Sequence, residues 1–135
     1  MKTAVVLLMA IGLAACSKTA ALSPTGPSPS DTTISFSSQV QPIFTNSCAI
    51  PGCHVTGGIA PMSLQAGFAY KDIVNAPSIE QPPYLIVKPY DADSSYLYLK
   101  ITGQAGTRMP LNHNPLDSAQ IATIRTWINQ GAKNN

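Results

Sequence analysis

Two thiols and an imidazole lie close together in the sequence. Cys48 and Cys53 are separated by four residues, and His54 follows the second cysteine directly. A thiol forms thioether and disulfide bonds, and a thiolate or an imidazole binds transition metals. These three residues therefore indicate covalent attachment of a cofactor, a metal site or a disulfide.

A cysteine pair followed at once by histidine is the attachment signature of c-type haem, which is usually written C-x-x-C-H. In such a site the two thiols add to the vinyl groups of the porphyrin, and the histidine binds the iron as the proximal ligand. We therefore predict that Cys48 and Cys53 attach a haem and that His54 is an axial ligand.

The cysteine spacing departs from the usual form, because four residues separate the two thiols instead of two. The segment Ile50-Pro51-Gly52-Cys53 has the composition of a β-turn, since proline fixes φ at the second position and glycine accepts a positive φ at the third. We expect a type II turn that loops out the additional residues and leaves both sulfurs within reach of neighbouring vinyl groups.

The same residues are compatible with two other structures. In an oxidising compartment, Cys48 and Cys53 can form a disulfide. Zinc usually takes four ligands, and the two cysteines together with His54 and His113 supply that number. Their spacing matches no common zinc finger, so haem attachment is the favoured interpretation.

An iron that carries electrons without binding small molecules needs a sixth ligand, and Met109 is the favoured candidate. A thioether is a soft ligand that suits iron(II) and raises the reduction potential. Met109 follows His54 by 55 residues, enough chain to reach the opposite face of the porphyrin, and Pro110 stiffens its loop. The alternatives are His113, which would lower the potential, and Met62, only eight residues after His54.

Short helices joined by long loops must position these residues. Apolar residues at helical spacing predict helices over residues 36–48, 66–74, 93–101 and 117–130, with a proline-rich loop over 75–92. Ser37 or Ser38 is the expected cap of the first helix, and Asp93 or Ser94 is that of the third. Gly103 is expected to end the third helix.

The last predicted helix has the clearest signals. Asp117 and Gln120 have the spacing of a capping box, and Gly131 is the expected stop. Its apolar stripe consists of Ile121, Ile124, Trp127 and Ile128. We expect this stripe to pack in a core that includes an edge of the haem.

The composition is that of one small, loop-rich domain. The chain has 135 residues, with 12 prolines and 9 glycines. Lys and Arg number 8 and Asp and Glu number 6, which gives a net charge of +2. This balance excludes a dedicated nucleic-acid-binding protein, which needs a concentrated basic face. No apolar segment reaches the roughly 20 residues that cross a bilayer.

The N-terminal residues predict export. Lys2 precedes an uninterrupted apolar stretch over residues 4–15, which has the length of a secretory signal and is too short for a transmembrane helix. The segment Leu13-Ala14-Ala15-Cys16 resembles the lipobox of bacterial lipoproteins. The resemblance implies a signal peptide over residues 1–15, cleavage before Cys16 and a lipid on its thiol.

Residues 16–34 predict a flexible tether. Beyond Cys16 this segment is rich in Ser, Thr and Pro and has little apolar content, so it cannot bury enough surface to fold. The tether would hold the domain over residues 35–135 away from the membrane that carries the lipid. The lipoprotein resemblance, with Ser17 after the cysteine, implies anchoring to the outer membrane, facing the periplasm or the cell surface.

Residues 35–133 resemble the small bacterial class I monohaem c-type cytochromes. The shared segments are Val40-Gln41-Pro42-Ile43-Phe44, Cys48 to His54, Ser94-Ser95-Tyr96-Leu97, Arg108-Met109-Pro110 and Ile124-Arg125-Thr126-Trp127-Ile128. The resemblance implies an all-α fold of three main helices and long loops around one covalent haem c. It implies thioethers at Cys48 and Cys53 and iron ligation by His54 and Met109. Arg108 is a candidate partner of a haem propionate, and Trp127 is a candidate haem contact.

The predicted function is single-electron transfer between redox proteins by a membrane-tethered cytochrome, without catalytic residues. The charges are evenly mixed, so docking to such partners should be weakly steered and brief. Two alternatives remain open. One is a peroxidase or gas sensor in which Met109 does not bind the iron, and the other is a haem-free, disulfide-bonded binding lipoprotein.

Overall fold

The computed structural model describes residues 32–135, and the predicted signal peptide, Cys16 and most of the predicted tether lie outside these described residues. Within residues 32–135 the regular structure is helical. It comprises a π-helical turn (Phe36–Val40), α1 (Gln41–Ser47), α2 (Ala69–Ile73), α3 (Tyr96–Thr102) and α4 (Ser118–Asn129). No extended β-strand occurs in this range. The described residues therefore have the all-α character that the sequence predicts.

The first predicted helix is divided into the π-helical turn and α1. The Gln41 N–H donates to a carbonyl five residues earlier, directly before Pro42. A proline in a helix has no N–H and crowds the carbonyl four residues before it, so a wider turn is favoured there. The cap is Ser35, whose Oγ accepts a hydrogen bond from the Ser38 N–H. The prediction of a cap at Ser37 or Ser38 is therefore wrong.

An aromatic cluster joins the start of the described chain to α4. The ring of Phe36 lies 5.2 Å from Trp127, 5.4 Å from Tyr70 and 6.2 Å from Phe44, measured between centroids. Phe44 and Trp127 are fully buried, and the Trp127 indole N–H donates to the Lys133 carbonyl. Burying side chains of this size contributes roughly 1.5–3 kcal/mol each, so the cluster is a main source of stability.

Helix α4 begins as predicted. The Asp117 carboxylate accepts a hydrogen bond from the Gln120 N–H (2.8 Å), and the Gln120 side chain accepts one from the Asp117 N–H (3.0 Å). This reciprocal pair satisfies two backbone donors at the helix start. Ile124 and Ile128 are fully buried, so the predicted apolar stripe of α4 faces the core.

Helix α3 ends at Gly103, which has φ 74° as expected for a left-handed helix end, but it begins later than predicted. Its N-cap is Ser95, not Asp93 or Ser94. The Ser95 hydroxyl donates to the Asp91 carbonyl (2.8 Å) instead of capping the helix. This bond ties the start of α3 to the preceding loop.

Helix α2 is shorter than the predicted segment 66–74, and isolated backbone bridges hold the loop that follows it in place. Isolated bridges pair Val74 with Val87 and Leu85 with Ser95. These bridges hold the proline-rich loop alongside α2 and α3. The loop thereby forms part of the wall of the cavity described next.

Candidate functional site

The two cysteines lie on a loop that leaves the end of α1, and we name residues 48–58 the cysteine loop. The Cys53 N–H donates to the Ile50 carbonyl (3.0 Å), and Gly52 has φ 83°. A bond between residues three apart with positive φ at the third position identifies the predicted type II turn. The His54 N–H donates to the Cys48 carbonyl (3.4 Å), so the backbone closes across the additional residues.

The backbone of the second half of the cysteine loop folds tightly against the first. A Cβ at Gly58 would lie closer than 3.0 Å to the Cys53 carbonyl oxygen, so this approach requires glycine. The Leu64 N–H donates to the His54 carbonyl (2.9 Å). Cys53 and His54 are therefore held by backbone contacts on both sides.

A cavity of about 650 Å³ lies beside the cysteine loop and is lined by Cys48, Cys53, His54, Met109 and His113. This volume lies within the range of roughly 300–1,000 Å³ that is typical of ligand pockets. Much of the remaining wall is apolar, including Leu64, Ile86, Leu97 and Ile101. The fold thus brings the predicted attachment residues and the distant predicted iron ligand to one apolar space.

All three candidate sixth ligands line this cavity. Met109 is half-buried, and its N–H donates to the Lys100 carbonyl (3.0 Å), which fixes its loop to α3. Met62 is also half-buried, whereas His113 is exposed. The choice of Met109 over Met62 and His113 therefore stays a prediction.

Arg108 and Trp127, which the sequence suggested as haem contacts, are not among the residues that line the cavity. Arg108 is exposed, and its side chain lies against Gly103. Trp127 is fully buried but packs on Phe36 in the aromatic cluster. A stripe at helical spacing marks a buried face, and here that face contacts protein rather than the cavity.

Burial lowers the pKa of His54, and the positive charge of Lys100 lowers it further, while the Met62 backbone opposes the shift. The imidazole is therefore neutral at physiological pH, which is the form that binds metals. Its Nδ1 is buried and makes no hydrogen bond of normal geometry within the described residues. A neutral imidazole in a cavity wall is suited to axial ligation.

Burial also raises the pKa of the Cys48 thiol to about 11. Cys48 is therefore protonated at neutral pH, and a thiolate there would have to be desolvated. Zinc binds the thiolate form, whereas a thioether carries no charge. The apolar surroundings of Cys48 are therefore suited to an uncharged thioether.

The other two interpretations of the cysteines gain no support from the geometry. In the described range, Cys48 and Cys53 are free thiols and are not joined to each other. Residues 32–135 also contain no group of three or more His, Cys, Asp or Glu side chains arranged to hold a metal ion.

The cavity also contains a polar cluster that the sequence analysis did not predict. The Lys100 ammonium lies 2.8 Å from the Glu80 carboxylate, and both residues line the cavity with Tyr96. The Lys100 hydrogen bond holds the pKa of Glu80 below its usual value, and burial raises the pKa of Tyr96. Tyr96 and Lys100 are one helical turn apart, which is the signal that indicates a shared face.

Comparison of the chain with protein-family models, with curated proteins and with solved structures gives no match. Among the helices of residues 32–135, none combines the length and the apolar character needed to span a membrane.

Proposed function

We propose that the chain is a small class I c-type cytochrome that transfers single electrons and carries one haem c attached through Cys48 and Cys53. The observation that supports this most strongly is the shared cavity, which His54 and Met109 line together with both thiols although Met109 is 55 residues away in sequence. When bound, the haem supplies one-electron cycling of its iron between the ferrous and ferric states.

The chemistry of these side chains fits that group. His54 offers a neutral imidazole, because burial lowers its pKa, and Met109 offers a soft thioether. Cys48 and Cys53 are free for thioether formation. The apolar wall excludes water from the ligands and so favours the less charged, reduced state. We propose His54 and Met109 as the axial ligands, with His113 as the alternative to Met109.

The fold supports distinct roles for the two chain segments that supply ligands. The cysteine loop holds its own thiols and His54 through short-range backbone bonds. Met109 lies in the loop that follows α3 and is held by its N–H, which donates to the Lys100 carbonyl. The two ligands are thus positioned by independent anchors. A change in one anchor should leave the other in place.

We further propose that the protein is exported and lipid-anchored through Cys16, with residues 16–34 as the tether and with redox proteins as donor and acceptor. The lipobox resemblance supports the anchor, and the mixed charges of the domain support brief, weakly steered contacts with partners. The anchor and the cytochrome domain are separate features, so each can be tested without the other.

The direct test is a denaturing gel stained for covalent haem, with protein produced in a bacterium that matures c-type cytochromes. We expect staining of the wild type and of Cys16→Ser, which removes only the proposed lipid site. The double variant Cys48→Ala/Cys53→Ala is expected to lose the stain. An unstained wild type, with its two cysteines joined in a disulfide, would show that the protein is a haem-free lipoprotein instead.

A further inference from the structure

Lys100 places a buried positive charge in a largely apolar cavity. Its side chain is only 8% exposed, whereas its ion-pair partner Glu80 is 57% exposed. The Nζ atom lies 2.8 Å and 3.1 Å from the two Glu80 carboxylate oxygens. A buried ammonium loses its hydration, and a carboxylate that remains mostly in water compensates that loss only in part. The site can therefore accept a second anion.

Three polar groups converge at this point of the cavity. An added Cβ at Gly106 would lie 3.2 Å from the Tyr96 hydroxyl, 3.2 Å from a Glu80 carboxylate oxygen and 3.3 Å from the Lys100 Nζ. The Tyr96 hydroxyl keeps its proton at neutral pH, because burial raises the pKa of the phenol. The Lys100 ammonium has three N–H donors and gives two of them to Glu80, and the Tyr96 O–H also donates to Glu80. One Lys100 N–H therefore remains for a further ligand.

We propose that Lys100 binds a carboxylate within the cavity and that this carboxylate is a propionate of the covalent haem. This inference rests on the proposed function. A haem brings propionate carboxylates into the cavity, and Lys100 is the only Lys or Arg among the lining residues of the described range. Arg108, the partner suggested by the sequence, does not line the cavity. Asp72 also lines the cavity, and its charge repels a carboxylate from that part of the wall. Glu80 lies at Lys100 itself and competes with the propionate for its ammonium.

The positive charge of Lys100 has a consequence for redox chemistry. Oxidation of the iron adds one positive charge, and a nearby ammonium disfavours that state. Lys100 should therefore raise the reduction potential of the iron. Lys100→Met keeps a long apolar side chain and removes the charge, so it is expected to lower the potential. Lys100→Arg keeps the charge and is expected to restore most of the difference.

The matched control is Lys88→Met. Lys88 is an exposed lysine paired with Asp91, and it does not line the cavity. The experiment is a redox titration of the haem-loaded proteins, combined with infrared difference spectra of samples whose haem propionates are labelled with ¹³C. We expect Lys100→Met to lower the potential and shift the propionate bands. We expect Lys88→Met to change neither.

A Lys100→Met protein with the potential and propionate bands of Lys88→Met would overturn the proposal. If Lys100→Met does not accumulate, Glu80→Gln is the second variant, because it removes the competing carboxylate and keeps Lys100. It is expected to raise the potential and to shift the same bands. An unchanged potential with unchanged bands in Glu80→Gln would likewise overturn the proposal.

Addition of acetate distinguishes the two sources of a carboxylate. If a propionate fills the site, acetate leaves the potential of the wild type unchanged. If acetate shifts the potential of the wild type but not that of Lys100→Met, the site binds a free carboxylate and the propionate assignment is overturned. A wild type without covalent haem would overturn the proposed function as well. If the wild type carries haem and Lys100→Met changes neither the potential nor the propionate bands, only this inference is overturned.

Discussion

Replacing Gly58 by alanine is expected to destabilise the cysteine loop. The added Cβ would lie closer than 3.0 Å to the Cys53 carbonyl oxygen and 3.0 Å from the Val55 carbonyl oxygen, whereas ordinary contacts begin at 3.4 Å. The Val55 contact alone requires an opening of 0.4 Å, and the closer Cys53 contact requires more. Both contacting groups belong to the backbone, which has no alternative rotamer. Shifts forced by an inserted methyl group cost about 1–3 kcal/mol.

The measurement is the free energy of unfolding of the haem-loaded protein, from urea titrations followed by circular dichroism. Gly57→Ala is the control, because its Cβ meets nothing within 4 Å and its cost comes from φ 78° alone, about 1–2 kcal/mol. Only Gly58→Ala displaces Cys53, so only this variant should change the absorption spectrum of the haem. A Gly58→Ala protein with wild-type stability and spectrum would refute the reasoning.

Three further predictions concern the iron ligand, a helix cap and a surface ion pair. Met109→Ala is expected to lose the far-red sulfur–iron absorption band, whereas His113→Ala should retain it; a high-spin wild type that binds carbon monoxide rapidly would support the open-site alternative. Asp117→Ala should lower the free energy of unfolding by about 1 kcal/mol in urea titrations, and an unchanged midpoint would contradict the role of the capping box. The Lys88 hydrogen bond lowers the pKa of Asp91, so this pair stabilises the fold above the ordinary carboxyl pKa and the contribution is lost as the pH falls below about 4. Asp91→Asn should therefore have a lower free energy of unfolding than the wild type at pH 7, and it should lose less of that free energy on acidification. Parallel curves of unfolding free energy against pH for the two proteins would exclude the effect.

The features that the sequence predicts best depend on residues close together in the chain. The capping box needs only Asp117 and Gln120, and the type II turn needs only Ile50 to Cys53. In both cases side chains or backbone preferences satisfy hydrogen bonds within one turn. Tertiary packing does not have to be known, so the pattern alone is sufficient.

The starts of the first and third helices were less predictable, because a serine hydroxyl has several possible partners. Ser35 caps the first helix although Ser37 and Ser38 are nearby. Ser95 precedes α3, but its hydroxyl donates to the Asp91 carbonyl. Which hydroxyl caps a helix is decided by where the preceding chain runs, and the local sequence does not contain that information.

Contacts between segments that are distant in the sequence could not be predicted from local patterns. Lys100 and Glu80 are 20 residues apart, and their ion pair exists only because the proline-rich loop lies against α3. The approach of Gly58 to Cys53 likewise depends on the path of the loop. Trp127 illustrates the same point, since its apolar spacing shows that it is buried and does not reveal what it packs against.

The geometry of the turn at Ile50 to Cys53 is local and does not depend on the stability of the folded core, although the two are usually linked in small proteins. It is closed by the hydrogen bond from the Cys53 N–H to the Ile50 carbonyl and by the positive φ of Gly52, and the Ile59 N–H also donates to the Gly52 carbonyl. Loops of about ten residues close in roughly 10–100 ns, long before a core assembles. A polypeptide whose core is not yet formed can therefore already adopt this turn directly before Cys53 and His54. Variants with a weakened interior should retain the turn.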